Sequence, residues 1–417
     1  MFRRISSFIM LLTAAQVVYS SDAASLNRQG VEACNREEFE KAVPLLIDAL
    51  QQAPGNTTIG KNLSAAGCAL AYRQDQNGAS DAALATLKNI HLLIPADSTV
   101  RTALISLLVN LGTIALRDNA LSLALRYSDE ALRLAPGNVT ARCLAGDIAY
   151  RNNDLRSARA HWETARKSEP SNRVVAQRLE RVGKDIDTER SFSSTEASRF
   201  DILFDYRKLG NSVFDIRDFL MEAYNRVGQD LDLFPTNTVT VILYGENEFR
   251  LVNNVPEFVA GLYDGKIRVP VNFTRYPLPT LKGILFHEYT HAVIHTIAGG
   301  SCPLWLNEGI AMREMNPHLP VQSAVLHRAL SSNATIPYPQ LCDRSVWNDP
   351  SQVFLAYAQS WMMAEYLYHR WSNSQVRKLL ARCREGTPVE TIMREELNRT
   401  PEQFDREWKK YANSVLP

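Results

Sequence analysis

The chain has 417 residues, of which 45% are hydrophobic and 22% are charged, and a chain of this length has room for two domains with separate cores. Its 46 basic and 45 acidic residues leave a formal net charge of +1. This balance argues against a nucleic-acid-binding protein and against one that takes acidic substrates through an overall basic charge.

Residues 1–23 have the pattern of an export signal. Arg3 and Arg4 give a basic start, the stretch from Ile5 to Tyr19 is mainly apolar, and small residues follow it. This apolar stretch is shorter than the roughly 20 residues that span a bilayer. We therefore expect an exported protein, periplasmic or secreted, with no membrane span in the mature chain. An uncleaved N-terminal anchor is the alternative.

From Leu26 to about Asn172 the chain repeats one pattern of small residues, and its last two units are 34 residues apart. Three units carry glycine, two alanines and proline at the same offsets: Gly30, Ala42, Ala49 and Pro54; Gly112, Ala124, Ala131 and Pro136; Gly146, Ala158, Ala165 and Pro170. A looser copy runs from Lys61 to Pro95. The spacing is typical of tetratricopeptide repeats, in which small residues let paired helices approach closely.

These repeats predict an all-α solenoid over residues 25–190, closed by a charged capping helix from Val174 to about Arg190. The concave face of such a solenoid would bind a peptide or a partner protein; a rigid spacer that binds nothing is the alternative. The serine-rich stretch from Ser191 to Ser198 reads as a linker. A second domain is then expected over residues 198–417.

The pattern changes after the linker. Phe200–Tyr206, Thr238–Tyr244 and Lys266–Val271 have the alternation or the β-branched content of strands, and Val213–Val227 has helical spacing. Pro270 should confine the third strand to a sheet edge, because proline cannot donate to a strand ladder. An exposed edge would let an extended substrate form backbone hydrogen bonds with the strand. The alternative is a sheet edge that is merely protected from pairing and binds no substrate.

A sequence motif with metal-binding spacing follows in a strongly apolar segment. Residues His287–His291 read HEYTH, and on a helix the two histidines lie one turn apart on the same face. We expect this helix to have Thr280 as its N-cap and to end at Gly299. Two histidines and a glutamate in an apolar helix would be costly without a shared partner, so a metal site is favoured over a chance match on a solvated helix.

A catalytic zinc usually takes three protein ligands and keeps one position open. Glu308 lies seventeen residues after His291 in the stretch Trp305–Gly309, which reads WLNEG and predicts a second apolar helix. It supplies a carboxylate where a third ligand is needed. The sequence therefore predicts one zinc ion per chain, held by His287, His291 and Glu308.

These motifs resemble those of the gluzincin metallopeptidases, and WLNEG is similar to the same segment of the aminopeptidase N family. The chain also resembles bacterial peptidase MA-like proteins that carry tetratricopeptide repeats upstream. An edge-strand segment at Gly261–Gly265, HEYTH, Asn307–Gly309 and the later Tyr357–Ser360 carry this resemblance. It covers about residues 198–380 for the peptidase part and the whole mature chain for the architecture.

The resemblance implies an all-α tetratricopeptide solenoid followed by a gluzincin-like α+β metallopeptidase domain. Aminopeptidases of this kind hold the substrate amine with a glutamate in a Gly-x-Met-Glu-Asn segment, whereas this chain has Ala260–Asp264 there, without that glutamate. An endopeptidase acting on proteins or peptides is therefore the better expectation.

The expected reaction is hydrolysis of a peptide bond by a metal-activated water, with Glu288 as the general base. The resemblance nominates Tyr357 as the donor that stabilises the developing charge, and core packing is the alternative for this residue. The repeats would recruit substrate or partner. A cell-envelope scaffold with a structural or inactive metal site and a hydrolase of non-peptide amides are the alternative functions.

Several other residues near the motif have open roles. His295 lies one turn beyond His291 and either orients a ligand or is a satisfied core histidine. Tyr289 should pack against the sheet. Cys302 and Cys342 flank part of the expected site and either form a disulfide or stay free thiols.

Overall fold

The computed structural model describes residues 22–255, 259–315 and 320–416. Residues 1–21 of the predicted export signal lie outside the described residues, so the expected localisation stays a prediction. The described chain divides into two compact units. The first holds the described residues up to Thr113 together with Ser122–Ala145, and the second holds Ile114–Leu121 together with the described residues from Gly146 onward. The domain limits expected from the sequence also stay predictions.

The N-terminal part of the described chain is entirely helical. Its helices are α1 (22–35), α2 (Phe39–Gln52), α3 (Thr57–Gln76), α4 (Ser80–Leu93), α5 (Ser98–Arg117), α6 (Leu121–Leu134), α7 (Val139–Arg151), α8 (Leu155–Ser168) and α9 (Arg173–Glu189). The predicted capping helix corresponds to α9. The expectation of an all-α N-terminal region is confirmed.

The small residues of the repeat pattern lie where these helices approach one another. In the first unit, Ala42, Ala49 and Ala83 are fully buried. A Cβ on Gly30 would come within 2.7 Å of Cγ of Leu46, which explains the glycine at this offset. Close helix pairing thus follows the repeated pattern of small residues, while the assignment to tetratricopeptide repeats stays a prediction.

Within the described residues, helix α5 is long and apolar enough, by length and composition, to cross a membrane. A buried helix of a soluble protein passes the same test. In α5, Val100, Leu104 and Leu108 are buried in the core of the first unit. The expectation of no membrane span in the mature chain stays a prediction.

The second unit contains a five-stranded mixed sheet. Its strands are β1 (Ser193–Ala197), β2 (Phe200–Phe204), β3 (Val239–Gly245), β4 (Leu262–Tyr263) and β5 (Ile267–Val271), in the order β1-β2-β3-β5-β4. Strands β2, β3 and β5 are parallel, and the two edge strands β1 and β4 run antiparallel to their neighbours. The mixed α/β character expected for this part of the chain is confirmed.

Two expectations about the sheet were wrong. The predicted linker Ser191–Ser198 contains strand β1, which forms a hairpin with β2. Strand β5 is not an edge strand over its whole length, because it pairs with β3 on one side and with β4 on the other. Since β4 reaches only Ile267 and Arg268, Pro270 lies in the half of β5 that β4 leaves uncovered, where its missing N–H is tolerated.

Helices surround the sheet and form the C-terminal part of the chain. They are α10 (Tyr206–Leu209), α11 (Ser212–Asp230), α12 (Glu246–Asn253), α13 (Leu278–Ala298), α14 (Leu304–Met315), α15 (Pro320–Ser331), α16 (Tyr338–Leu341), α17 (Arg344–Asn348), α18 (Val353–Arg370), α19 (Asn373–Arg384), α20 (Val389–Leu397) and α21 (Pro401–Val415). The helical expectation for the chain beyond Asn316 is confirmed for the described residues.

Successive residues of β3 point to opposite faces of the sheet, and both faces are covered. Val241 and Leu243 face the core that contains α11 and α13, whereas Ile242 and Tyr244 pack with Phe249 of α12. A sheet buried on both faces requires a continuous apolar strand rather than alternation. This explains the β-branched run that predicted β3.

Helix α13 lies against the sheet and carries the predicted metal-binding motif. Tyr289 of α13 packs edge-on against Phe200 of β2, with ring centroids 5.3 Å apart, as expected. The predicted N-cap Thr280 was wrong: the helix begins at Leu278, and the carbonyl of Pro277 accepts the amide of Leu281. The predicted end is confirmed, because Gly299 is the left-handed C-cap with φ of 59°.

A buried ion pair attaches α9 to the sheet within the second unit. The guanidinium of Arg268 on β5 donates to the carboxylate of Asp185 on α9, with Nη1 and Oδ1 3.1 Å apart, and both side chains are fully buried. The phenol of Tyr150 donates to the same carboxylate. Removing one member would leave a buried charge without its partner, which is strongly destabilising.

Candidate metal centre

The two helices α13 and α14 bring the three predicted ligands together. His287 and His291 have ring centroids 4.6 Å apart and nearly perpendicular planes. Oε2 of Glu308 lies 3.4 Å from Nε2 of His287 and 3.6 Å from Nε2 of His291. Ligand atoms about 2.0–2.1 Å from one zinc in tetrahedral geometry stand roughly 3.3 Å apart. The spacing of this cluster therefore suits a single zinc ion.

The protonation and hydrogen bonding of these residues also suit a cation. Burial alone would raise the pKa of Glu308, but His291 and His287 beside it hold the pKa below its ordinary value. Oε2 of Glu308 is buried and accepts no hydrogen bond from the described residues. A buried, ionised carboxylate oxygen without a donor is costly unless it binds a cation. The residues present thus fit a divalent metal ion.

Asn307 contacts the second histidine of the motif. Its side-chain oxygen lies 3.0 Å from Nδ1 of His291. If Nδ1 carries the proton, this bond leaves Nε2 of His291 with its lone pair toward Glu308, and such partners typically fix the orientation of a metal-ligating imidazole. Sequence reasoning did not assign this role to Asn307; its position immediately before Glu308 was the available signal.

Glu288 lies beside the cluster with its carboxylate packed on the backbone of Gly261, the residue that precedes β4. The residue is 5% exposed, and a Cβ on Gly261 would lie 2.8 Å from Cδ of Glu288. Burial, reinforced by the negative charge of Glu308 and reduced by His291, raises the pKa of Glu288 to about 8. Burial thus favours the neutral form of this carboxyl, and a divalent ion held by the adjacent ligands would favour the carboxylate form that a general base needs.

Tyr357 on α18 lines the cavity that also contains the three proposed ligands. Its ring packs edge-on against Trp347 with centroids 5.2 Å apart, so part of this side chain is used in packing. Burial and the nearby carboxylates of Glu308 and Glu288 raise the pKa of the Tyr357 phenol well above its ordinary value. The hydroxyl therefore keeps its proton and can act as a donor.

The rest of the Tyr357–Ser360 segment has structural contacts. The amide of Gln359 accepts from the backbone N–H of Ile336 at 2.9 Å and donates to its carbonyl at 2.8 Å. A Cβ on Gly309 would lie 2.8 Å from the carbonyl carbon of Ser360. Gly309 thus lets α14 approach α18 closely, which sets the position of the adjacent Glu308.

The three proposed ligands, together with Asn307, Glu288 and Tyr357, border one cavity of about 660 Å³. Residues 260–263, around β4, line one side, so the edge of the sheet next to the candidate site belongs to β4 rather than β5. Apolar side chains from α13, α14 and α15 line much of the remainder: Ile284, Ile294, Met312, Met315, Val321 and Val325. The cavity is large enough to hold several residues of a peptide chain.

His295 has partners of its own. Its Nε2 lies 2.9 Å from Nη2 of Arg151, and its ring packs edge-on against Tyr263 of β4 at 5.9 Å. Burial and the charge of Arg151 lower the pKa of His295 to about 4, so the ring is neutral at physiological pH. This arrangement corresponds to the alternative of a satisfied buried histidine.

The suggested disulfide between Cys302 and Cys342 does not form. Both are free thiols, as are the other described cysteines, and Cys342 is exposed whereas Cys302 is half-buried. Cys302 borders the cavity, and burial raises the pKa of its thiol well above the ordinary value. The alternative of free thiols therefore holds in this structure.

Comparison with known protein families shows what part of the chain is similar to. Residues 276–414, about a third of the chain, match the sequence profile of the Peptidase MA superfamily. The matched region begins just before α13 and also includes α14 and α18. These three helices supply all of the residues discussed as ligands, base and donor. No curated protein matches the chain. The similarity to a peptidase superfamily, together with the His-His-Glu cluster, indicates a metallopeptidase function for this region.

Proposed function

We propose that the protein is a zinc-dependent endopeptidase. The observation that carries this proposal is the convergence of His287, His291 and Glu308 around one point, with the Glu288 carboxylate beside them in the same cavity. The match to the Peptidase MA superfamily supports it. The substrate class is a protein or peptide, because apolar side chains of three helices line the cavity and a strand edge borders it.

His287, His291 and Glu308 would hold one zinc ion per chain. When bound, the ion supplies Lewis acidity, which polarises a carbonyl and acidifies water. Asn307 keeps His291 oriented for this role through the contact with Nδ1. The two helices that carry the ligands are fixed by the core contacts of α13 and by the close approach at Gly309.

Glu288 accepts a proton from the attacking water at its carboxylate and later delivers that proton to the leaving amine. The tight contact with Gly261 limits the positions that the carboxylate can adopt. Restricting the base in this way reduces the entropy that must be lost before the proton moves. Tyr357 donates a hydrogen bond to the scissile carbonyl oxygen as negative charge develops there.

Endopeptidase activity is supported by the residues around β4. Residues 260–263 border the cavity, and the segment Ala260–Asp264 has no glutamate that would bind a free amine. We further propose that the protein is exported, on the basis of the pattern of residues 1–23, and that the N-terminal helical region recruits the substrate or a partner protein.

Replacement of Glu288 by glutamine tests the proposal. The Glu288→Gln protein should retain its fold and zinc but lose hydrolysis of an unfolded, fluorescently labelled protein, because glutamine cannot accept the proton. Glu222→Gln is a matched control, since Glu222 pairs with Lys282 on the exposed start of α13, and it should hydrolyse at the wild-type rate. Unchanged hydrolysis by Glu288→Gln would reject the proposal and favour the alternative of a cell-envelope scaffold with a structural metal site.

A further inference from the structure

The charges that line the cavity are few. Among the described lining residues, the charged side chains besides the histidines are Glu288, Glu308 and Arg344. The first two have roles in the proposed site. Arg344 is exposed, and the described residues offer its guanidinium neither an ion pair nor a hydrogen bond. This guanidinium is therefore available to a ligand in the cavity.

The short helix α17 holds Arg344 on the cavity wall. Val346 of this helix is buried, and the indole N–H of Trp347 donates to the carbonyl of Leu341 at 3.0 Å. Trp347 also lines the cavity and packs against Tyr357. Arg344 and Trp347 are three residues apart, so their side chains project from the same side of the helix. Arg344 thus lies on the same face of α17 as Trp347, the residue that packs against Tyr357.

Exposed apolar side chains also border the cavity. Val321 is 68% exposed and Phe354 is 57% exposed, and both line the cavity together with Trp347. A bound peptide would cover these side chains and exclude water. Exclusion of water strengthens the attraction between a guanidinium and a carboxylate, because the local dielectric constant falls.

We propose that Arg344 binds a carboxylate of the substrate, so that the site favours peptides with an acidic group near an apolar residue. The acidic group is either a glutamate or aspartate side chain or the free C-terminal carboxylate. This inference rests on the proposed function only in taking the cavity as the peptide-binding site. Guanidinium recognises both kinds of carboxylate through the same paired hydrogen bonds.

Peptide binding tests the inference without requiring hydrolysis. The zinc-loaded full-length Glu288→Gln protein would be titrated with fluorescein-labelled decapeptides of an alanine and leucine background that carry glutamate, glutamine or lysine at one position in turn. At one position, glutamate should bind about tenfold tighter than glutamine. This preference should disappear in Glu288→Gln/Arg344→Gln and should change to a preference for lysine in Glu288→Gln/Arg344→Glu.

Arg328 provides a matched control. It is an exposed arginine of α15 that does not line the cavity, and Arg328→Gln in the Glu288→Gln background should retain the glutamate preference. Comparison of peptides that end in a free acid or an amide separates the two sources of the carboxylate. A tenfold loss on amidation identifies the C-terminal group, whereas a loss only on exchange of glutamate identifies the side chain.

The results also separate this inference from the proposed function. The inference would be overturned if the preference for glutamate were the same with and without the Arg344 guanidinium. It would also be overturned if no peptide bound. Hydrolysis of the peptides is measured in parallel with the wild-type protein. A preference that depends on Arg344 without hydrolysis would support the inference and contradict the proposed function.

Discussion

Gly261 and Glu288 are packed so closely that the site tolerates no side chain at position 261. A Cβ there would lie 2.8 Å from both Cγ and Cδ of Glu288, well inside van der Waals contact. The glycine precedes the edge strand β4, and the glutamate lies between two proposed ligands on α13. The backbone of one wall of the cavity therefore determines where the proposed base can lie.

Gly261→Ala should consequently displace the Glu288 carboxylate and reduce kcat by about 10²-fold, because small displacements of a catalytic group have effects of this size. Zinc content should not change. Gly183→Ala is the control, since a Cβ at Gly183 meets no atom within 4 Å. The measurement is steady-state hydrolysis alongside zinc analysis of both variants. Wild-type kcat in Gly261→Ala would contradict the positioning role of Gly261.

Removal of the Asn307 side chain should weaken zinc binding. The imidazole of His291 loses the oxygen 3.0 Å from its Nδ1 in Asn307→Ala, and loss of such a partner typically lowers metal affinity 10–100-fold. Competition with a chelating dye measures the Kd. Asn307→Asp keeps an oxygen at this position and should restore most of the affinity. Equal Kd values for wild type and Asn307→Ala would show that the contact does not orient the ligand.

Tyr357→Phe separates the two roles considered for this residue. The ring keeps its packing against Trp347, but the hydroxyl donor is lost. If the phenol stabilises the developing charge, kcat should fall by about 10²-fold with little change in KM. Steady-state kinetics and the melting temperature should be compared. Unchanged kcat would assign Tyr357 to core packing alone.

Glu314 at the end of α14 should make stability depend on pH. Its side chain is 1% exposed, and burial raises its pKa to about 7 despite the partial compensation by Arg313 and Arg226. The folded state therefore binds this proton more tightly than the unfolded state, whose carboxyl has an ordinary pKa near 4.5. The free energy of unfolding should fall as the pH rises from about 4.5 through 7.

The Glu314→Gln variant should lack the part of the pH dependence of stability that comes from the Glu314 carboxyl. The decrease in unfolding free energy between pH 5 and pH 8 should be smaller than in wild type by on the order of 2 kcal/mol. Thermal melts of both proteins at the two pH values provide the comparison. An equal pH dependence in the two proteins would mean that Glu314 is ionised throughout this range.

The candidate site could be predicted from the sequence because its signals are local. His287 and His291 are related by the period of one helix, and Glu308 lies in a second apolar helix shortly after it. The Asn307 contact with His291 depends on how α13 and α14 cross, which no local pattern gives. The same is true of the approach of Gly309 to Ser360.

Elements whose burial produces an apolar pattern could be predicted from the sequence, whereas elements without such a pattern could not. Strand β3 is buried on both faces and was expected from its apolar run. Strand β1, in contrast, is polar and largely exposed at the sheet edge, so its sequence SSTEA is indistinguishable from a linker. Edge strands of this kind are held by pairing with a neighbour rather than by an apolar face.

The metal content of the purified protein tests the central claim most directly. Mass spectrometry should find about one zinc per chain in the wild type and in Glu288→Gln, and none in the double variant His287→Ala, His291→Ala, because the three-residue ligand set would then be reduced to Glu308. Circular dichroism of the double variant would establish that it is folded. A wild-type protein that holds no zinc, even after incubation with the metal, would contradict the account.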